Sequence, residues 1–181
     1  PEGAVGSATV YGNNALLANV SSDLLSESAP VLGLWDDGTT YGVWIHDVDP
    51  DLEHGGSVLQ VSSFDGTDWS VPEAIAGTLG INRDVCTLTD ADGNTFVTWS
   101  WADSSSLGET STLEDFQNVL ASSELMYVVY DGTSWSAPAP VALTSGGDGG
   151  STMAIGADGT PLVAWTSEGV NGANSILVSH W

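Results

Sequence analysis

Basic residues are almost absent from this sequence. Its 181 residues include one basic residue, Arg83, against 24 acidic ones, and the formal net charge is −23 at pH 7. A charge of this sign and size repels nucleic-acid phosphates and anionic lipid headgroups, so we expect no nucleic-acid partner. The sequence also lacks the run of about 18 apolar residues that a membrane-spanning helix needs, and we therefore expect no membrane insertion.

Cysteine is equally scarce. Cys86 is the only one, which excludes an intrachain disulfide and a cysteine-based zinc site within this sequence. It lies in the alternating run DVCTLTD (84–90), a pattern that favours a small, buried residue. A catalytic thiol needs a histidine or a cation beside it, and no histidine is close to it in the sequence.

Hydrophobic residues make up 41% of the chain, enough for the core of one domain, and they recur in three similar segments. The segments are LWDDGTTYGVWI (34–45), TDADGNTFVTWS (89–100) and IGADGTPLVAWT (155–166). Because glycine accepts the positive φ of a tight turn, the Asp-Gly pair in each segment predicts a hairpin of two strands. A tryptophan follows six residues after each glycine, and we expect it to lie in the core between neighbouring units. The turn residues are Asp37, Gly38, Asp92, Gly93, Asp158 and Gly159, and the tryptophans are Trp44, Trp99 and Trp165.

A second kind of hairpin follows the first two of these segments. SVLQVSSFDGTDWSVPEAI (57–75) and ELMYVVYDGTSWSAPAPV (124–141) share the motif Asp-Gly-Thr-x-Trp-Ser-x-Pro. We expect Asp-Gly to form the turn, the tryptophan to cover the neighbouring core, and the proline to lie in an outer edge strand, where a missing N–H costs little. The residues are Asp65, Gly66, Trp69 and Pro72 in the first copy and Asp131, Gly132, Trp135 and Pro138 in the second.

Four strands per unit, repeated after 55 and then 66 residues, predict an all-β fold: a β-propeller segment of about three four-stranded blades, incomplete at its ends. The longer period contains an insertion, 111–123, that predicts a short helix capped by Thr112. The glycine-rich TSGGDGG (144–150) predicts a flexible connector. We expect residues 1–27 to complete a preceding blade, 28–80 to form blade 1, 81–148 blade 2 and 149–181 a partial blade 3.

At the second kind of hairpin the chain resembles sialidase-like propellers that carry Asp-box repeats, a motif that reads roughly Ser-x-Asp-x-Gly-x-x-Trp. Residues 63–69 (SFDGTDW) are one residue shorter than the motif, and residues 130–135 (YDGTSW) lack its serine. The resemblance implies the architecture, in which the box is a structural turn away from the active centre. Sialidases bind the substrate carboxylate with an arginine cluster, which Arg83 alone cannot form.

The run HDVDPDLEH (46–54) concentrates metal-ligand residue types. Asp47, Asp49, Asp51 and Glu53 offer closely spaced oxygen ligands of the kind that calcium accepts, and Ca²⁺ is therefore the predicted ion. The spacing does not match an EF-hand loop, and a solvated acidic loop is the alternative interpretation. The two histidines that flank the run could instead bind a transition metal together with the acids.

Two tryptophans, Trp35 and Trp101, lie out of register with the repeated ones and are freer to reach a surface, where indole rings stack on sugars. They are candidate ligand-binding residues, with core packing as the alternative. Propeller glycosidases place two or three carboxylates in the central funnel, but 24 acidic residues also cluster by chance, and no catalytic residue is assigned. The carboxylates considered are Asp47, Asp49, Asp51, Glu53, Asp84, Asp103 and Glu168.

These observations favour a secreted or cell-surface propeller module that acts in recognition or assembly and is not an enzyme. The alternative is a carbohydrate-active propeller, either a lectin or a glycoside hydrolase, whose remaining site residues lie outside this chain. Three blades are fewer than a propeller ring usually contains. The expected partners are therefore other propeller blades, from the same parent chain or from a homo-oligomer, and glycans.

Overall fold

The computed structural model describes residues 25–48, 56–169 and 172–181. Within them the chain forms three antiparallel sheets, here called blades 1, 2 and 3, and one helix. Blade 1 contains β1 (Glu27–Leu34), β2 (Thr40–Asp47), β3 (Ser57–Phe64) and β4 (Glu73–Ala74). Blade 2 contains β5 (Ile81–Thr89), β6 (Thr95–Ala102), β7 (Glu124–Tyr130) and β8 (Ala139–Pro140). Blade 3 contains β9 (Asp148–Ile155), β10 (Pro161–Glu168) and β11 (Asn174–His180), and helix α1 (Leu113–Leu120) lies between β6 and β7.

Each sheet is a meander in which successive strands are neighbours, and the first strands of the three blades pack side by side. This confirms the predicted all-β fold of three repeated units with one inserted helix. Over the described residues the three sheets do not close into a ring. The strands expected before residue 25 lie outside the described residues. No helix in the described part of the chain is long and apolar enough to cross a membrane.

The turns are built by glycine and aspartate together. The five Asp-Gly glycines have φ between 82° and 100°, a region that side chains with a Cβ rarely adopt. In the second kind of hairpin the carboxylate of Asp65 accepts the backbone N–H groups of Thr67 and Asp68, at 2.8 and 2.9 Å. The carboxylate of Asp131 does the same in blade 2. The repeated Asp-Gly-Thr motif is therefore explained by hydrogen bonds within each turn.

The fourth strands are shorter than the sequence pattern predicts, with two residues each in β4 and β8. Proline supplies no N–H to a ladder, and Pro72, Pro138 and Pro140 lie beside or within these strands. Serine hydroxyls replace part of the missing ladder: Ser70 accepts the N–H of Ser63 at 3.0 Å, and an equivalent bond forms in blade 2.

The core lies between the blades. Trp99 is fully buried between blades 1 and 2, in a cluster with Tyr41, Val43 and Leu59. Trp165 is 3% exposed between blades 2 and 3, where it packs with Leu125 and other apolar residues. Trp44, their counterpart in blade 1, is 8% exposed. Trp135 packs against the first cluster, as the sequence pattern predicts for it.

Helix α1 begins as the sequence predicts. The Thr112 hydroxyl accepts the N–H of Asp115 at 3.2 Å, and the Asp115 carboxylate accepts the N–H of Thr112 at 2.8 Å, which together form a capping box. No residue of the helix is buried, so the capping box, and not packing, sets where the helix begins.

Two predictions need correction. Residues 144–150 are not simply a flexible connector, because β9 begins at Asp148, which is 2% exposed. Cys86 is half-buried, less than the alternating pattern suggests. Its partial burial raises the pKa of the thiol, which favours the neutral, unreactive form.

The turn glycines provide the first test of this fold. Gly66→Val and Gly132→Val force a β-branched residue into a left-handed conformation, and each should lower the free energy of unfolding by about 1–3 kcal/mol. Gly108→Val is the matched control, since Gly108 has open space around it and no left-handed φ. Chemical denaturation measures the effect, and equal midpoints for all three variants would contradict the turn geometry.

The turn carboxylates predict a loss of stability in acid. Bonds from the backbone N–H groups of Asp68 and Thr67 lower the pKa of Asp65 from its ordinary value of 3.8, and those of Ser134 and Thr133 lower the pKa of Asp131. The unfolded chain therefore binds protons first as the pH falls. The stability that these two carboxylates contribute is present at pH values above the ordinary pKa of 3.8, and it is lost as the pH falls through their lowered pKa in the folded protein.

Thermal unfolding from about pH 5 to about pH 2 measures this contribution. The double variant Asp65→Asn/Asp131→Asn keeps an acceptor oxygen in each turn but removes both titrations, so its melting temperature should fall less steeply with acid than that of the parent. Acid also relieves repulsion among the many carboxylates, but it does so in both proteins, and the difference between them isolates the turns. Parallel curves would contradict the prediction.

Candidate functional site

The first strand of each blade contains a bulge at the same position. Ala29, Asp84 and Gly150 each precede the turn glycine of their blade by nine residues, and their φ angles are 48°, 55° and 60°. The strand register shifts at this point in β1, β5 and β9. Bulges redirect side chains, and non-glycine residues held at positive φ are concentrated at functional sites. Asp84 is therefore the natural starting point for a site.

The carboxylate of Asp84 connects blades 2 and 3. Its Oδ2 accepts the N–H of Gly150 at 3.3 Å and the hydroxyl of Ser100 at 3.4 Å. Gly150 is the bulge residue of the next blade, so a carboxylate from one inner strand contacts the backbone of the neighbouring inner strand. The side chain of Asp84 is exposed and lies at the end of the blades where β5 and β9 begin.

A groove of about 450 Å³ opens beside these bulges, between blade 2, blade 3 and helix α1. We call it the polar groove, because most of the side chains that line it donate or accept hydrogen bonds. The polar ones used below are Arg83, Gln117, Ser123, Asp148, Glu168 and Asn174.

Arg83, the only basic residue of the chain, lies in the wall of the polar groove. Its Nη2 donates to the Ser123 hydroxyl at 3.2 Å, and that hydroxyl donates to the carbonyl oxygen of Asp148 at 3.1 Å. The guanidinium Nε is buried and has no hydrogen-bond partner among the described residues. The single cation is thus held in place while part of its donor capacity stays unused.

Asp148 has a matching unused acceptor. Its side chain lies in the groove wall at 2% exposure, and Oδ2 accepts the hydroxyl of Thr144 at 2.9 Å. Oδ1 is buried without a partner among the described residues. Burying a polar group without a hydrogen bond is unfavourable, so both atoms destabilise the fold. Because the protein itself covers them, a ligand in the groove would contact other atoms of Arg83 and the polar side chains beside it.

The structure brings only some of the considered carboxylates together. Glu168 lines the polar groove, and Asp84 contacts Gly150 in its wall. Asp103 is exposed outside the groove, where its Oδ1 accepts the N–H of Ser105 at 2.9 Å.

The predicted calcium loop is described only at its start. Asp47 ends β2 and is half-buried, while Asp49, Asp51 and Glu53 lie outside the described residues. Among the described residues no group of three or more histidine, cysteine, aspartate or glutamate side chains is arranged to hold a metal ion.

The two candidate tryptophans lie away from the polar groove. Trp35 is stacked between Tyr41 and Tyr130, with ring centroids 5.3 and 5.1 Å away, so both faces of its ring are covered. Trp101 packs against the core of blades 1 and 2, and its Nε1 donates to the Leu79 carbonyl at 2.9 Å. Their roles in ligand binding stay predictions, and a ligand of Trp35 would contact the edge of the indole.

Sequence reasoning did not single out Asp148, although a signal was present. Glu27, Asn82 and Asp148 each stand eleven residues before the turn glycine of their blade, so a polar side chain recurs at this position in all three. The glycines around Asp148 obscured the repeat and suggested a connector. Extending the alignment of the turn glycines eleven residues towards the N-terminus places Asp148 inside a strand.

No protein-family model and no curated protein sequence matches the chain. Several solved structures are similar to it. A Hadza microbial sialidase, Hz136, is 16% identical with a TM-score of 0.60, over 84% of this chain and 34% of that protein. An endo-arabinase from Bacteroides thetaiotaomicron VPI-5482 is 10% identical with a TM-score of 0.56, over 91% and 59%. A protein of unknown function from Dyadobacter fermentans DSM 18053 is 16% identical with a TM-score of 0.60, over 86% and 51%.

The fold is that of a β-propeller. Identities this low show the fold alone, and they agree with the three blades described above. The chain spans between 34% and 59% of the length of these three proteins.

Proposed function

We propose that this chain is a recognition module of an extracellular β-propeller and that it binds a carbohydrate in the polar groove. The observation that carries the proposal is that Arg83, the only basic residue of the chain, lines one groove together with Gln117, Glu168 and Asn174, so that donors and acceptors converge there. A few polar groups that converge in a concave site fix the orientation of a ligand.

The chemistry of the groove favours a carbohydrate. Sugar hydroxyls both donate and accept, and the groove offers donors from Arg83, Gln117 and Asn174 and an exposed acceptor carboxylate from Glu168, with the buried carboxylate of Asp148 in its wall. A strongly anionic ligand would meet those carboxylates and a chain of net charge −23. The similar structures include a sialidase, an endo-arabinase and a family-43 glycoside hydrolase, which supports glycans as the ligand class and a location outside the cell.

Further blades are part of this proposal. Leu32 of blade 1 is 69% exposed, and Ile176 and Val178 of blade 3 are 71% and 67% exposed. Between blades, residues of this kind are covered, and we therefore propose additional blades next to both ends, from the same parent chain or from another copy. Calcium binding by the loop that begins at Asp47 also stays a prediction, separate from the proposal of further blades.

Arg83 provides the test of the polar groove. The parent protein should bind one or more glycans on an array, and Arg83→Gln should weaken that binding at least about tenfold in calorimetry, because charge-assisted hydrogen bonds are lost. Arg83→Lys keeps the positive charge but lacks the planar guanidinium with its several N–H donors, so it should recover part of the affinity.

Glu114→Gln is the control for this test, since it removes a charge from an exposed part of helix α1 that does not line the groove. Melting temperatures show whether each variant is folded. A parent protein that binds no glycan, or equal affinity of the parent and Arg83→Gln, would remove the proposal.

Glycoside hydrolysis is a second candidate, favoured by the strained Asp84 beside a groove that contains Glu168 and Asp148. Two carboxylates that flank a glycosidic bond supply the acid and the base of this reaction. If the parent releases nitrophenol from nitrophenyl glycosides, Asp84→Asn should lower the rate by at least about 100-fold.

Asparagine tolerates the left-handed conformation, so the variant should fold as the parent does. Asp103→Asn, which changes an exposed carboxylate outside the groove, should retain full activity. A parent protein that hydrolyses no substrate in the panel would leave binding as the function.

A further inference from the structure

A second cleft lies at the opposite end of the blades from the polar groove, among the hairpin turns of blades 1 and 2. Its volume is about 300 Å³, and we call it the aromatic cleft. Blade 1 contributes the turn that contains Trp35 and the segment around β4, and blade 2 contributes its Asp-Gly-Thr hairpin. The side chains used below are Trp35, Ser63, Ser70, Glu73, Tyr130 and Trp135.

The rings of this cleft form a continuous row that starts in the core. Tyr41 is fully buried and stacks on Trp35, Trp35 stacks on Tyr130, and Tyr130 packs against Trp135 with centroids 5.1 Å apart. The Tyr41 hydroxyl bonds to the Thr87 hydroxyl at 2.7 Å, which anchors the inner end. The outer rings are therefore held by the core before any ligand arrives, and a ligand that contacts them orders few side chains.

Two side chains of the aromatic cleft are not explained by the repeat. Asp90 and Gly156 occupy the position of Trp35 in blades 2 and 3, three residues before the turn glycine. In blade 2 the Asp90 carboxylate accepts the N–H groups of Asp92 and Asn94 and so closes the turn, a bond that an indole cannot make.

Glu73 shows the same departure from the repeat. It pairs with Val61 in blade 1 at the position where Ala139 pairs with Tyr127 in blade 2, so this position needs no carboxylate. Both Trp35 and Glu73 line the aromatic cleft. The fold therefore tolerates smaller or different residues at both positions, and a function of the cleft that they share would account for both.

We propose that the aromatic cleft is a second binding site and that it takes one uncharged pyranose ring. Trp135, at the outer end of the row, packs against the apolar C–H face of the sugar, and the edges of Trp35 and Tyr130 contact its rim. Serine hydroxyls and a carboxylate hydrogen-bond the hydroxyl groups of the sugar. Glu73 is the only charged side chain among those that line the cleft, so it repels anionic sugars and accepts hydroxyl hydrogens from neutral ones. The site is independent of the polar groove, from which it is separated by the length of the inner strands.

Indole N–H signals in NMR spectra test this site directly. The chain has eight tryptophans, and single Trp→Phe variants assign their signals. The probes are the methyl glycosides of glucose, galactose, mannose, fucose and xylose at millimolar concentrations. At least one should shift the signals of Trp35 and Trp135 to saturation. The signal of Trp69, which is the counterpart of Trp135 in blade 1 and does not line this cleft, should stay in place.

Glu73→Gln should weaken the titration by at least about tenfold, because the carboxylate acceptor is lost while the size is kept. Glu114→Gln should titrate as the parent does. Arg83→Gln should also leave this titration unchanged, so that failure of the polar groove and failure of the aromatic cleft are separate results.

Three results would overturn the proposal: no saturable shift of Trp35 and Trp135 with any of the five glycosides, an unchanged titration in Glu73→Gln, or equal shifts of all the indole signals. Choline chloride is a further probe, since aromatic rings with a carboxylate also attract quaternary ammonium ions. Saturation of the same signals by choline, with none of the sugars acting, would assign the cleft to cations instead.

Discussion

A tryptophan from the second strand of a blade fills the interface with the blade before it, and this packing sets the spacing of the sheets. A fully buried tryptophan removes about 150–250 Å² from water, which stabilises the fold by about 4–6 kcal/mol as an upper bound. The Nε1 atoms of Trp99 and Trp165 have no hydrogen-bond partner among the described residues. That omission costs about 1–3 kcal/mol each, less than the burial contributes. Packing, and not hydrogen bonding, therefore fixes these rings.

Both proposed sites depend on this spacing. Because neighbouring blades are held at one distance and one height, equivalent positions of the inner strands lie side by side, and the Asp84 carboxylate reaches the N–H of Gly150 at 3.3 Å. At the other end of the blades the same alignment brings Trp35 against Tyr130 at 5.1 Å. A change that loosened the packing of Trp99 and Trp165 between the blades would shift both contacts together, although neither contact includes those rings.

The elements that sequence reasoning predicted well are those with local causes. Turn glycines need a positive φ, and the capping box of Thr112 and Asp115 spans three residues, so each is visible in a short window. The sequence does not show that Trp35 is covered, because its stacking partner in blade 2, Tyr130, is distant in the sequence. The glycine-rich segment that contains Gly150 suggests a flexible connector, whereas Gly150 forms a bulge inside β9. Contacts between blades are invisible to local patterns, and both sites are made of such contacts.

The three blades solve one structural problem three times, so each blade is a control for the others. What the fold requires recurs: the turn glycine, the second-strand tryptophan and the left-handed residue of the bulge. At the bulge, alanine and glycine meet that requirement in blades 1 and 3, and only blade 2 holds a carboxylate there. Ser28 and Gly149 occupy the position of Arg83 in the same alignment. A residue that appears once among equivalents is not required by the repeat itself, and Arg83, Asp84, Trp35 and Glu73 all meet this criterion while lying at the two ends of the blades, where ligands have access.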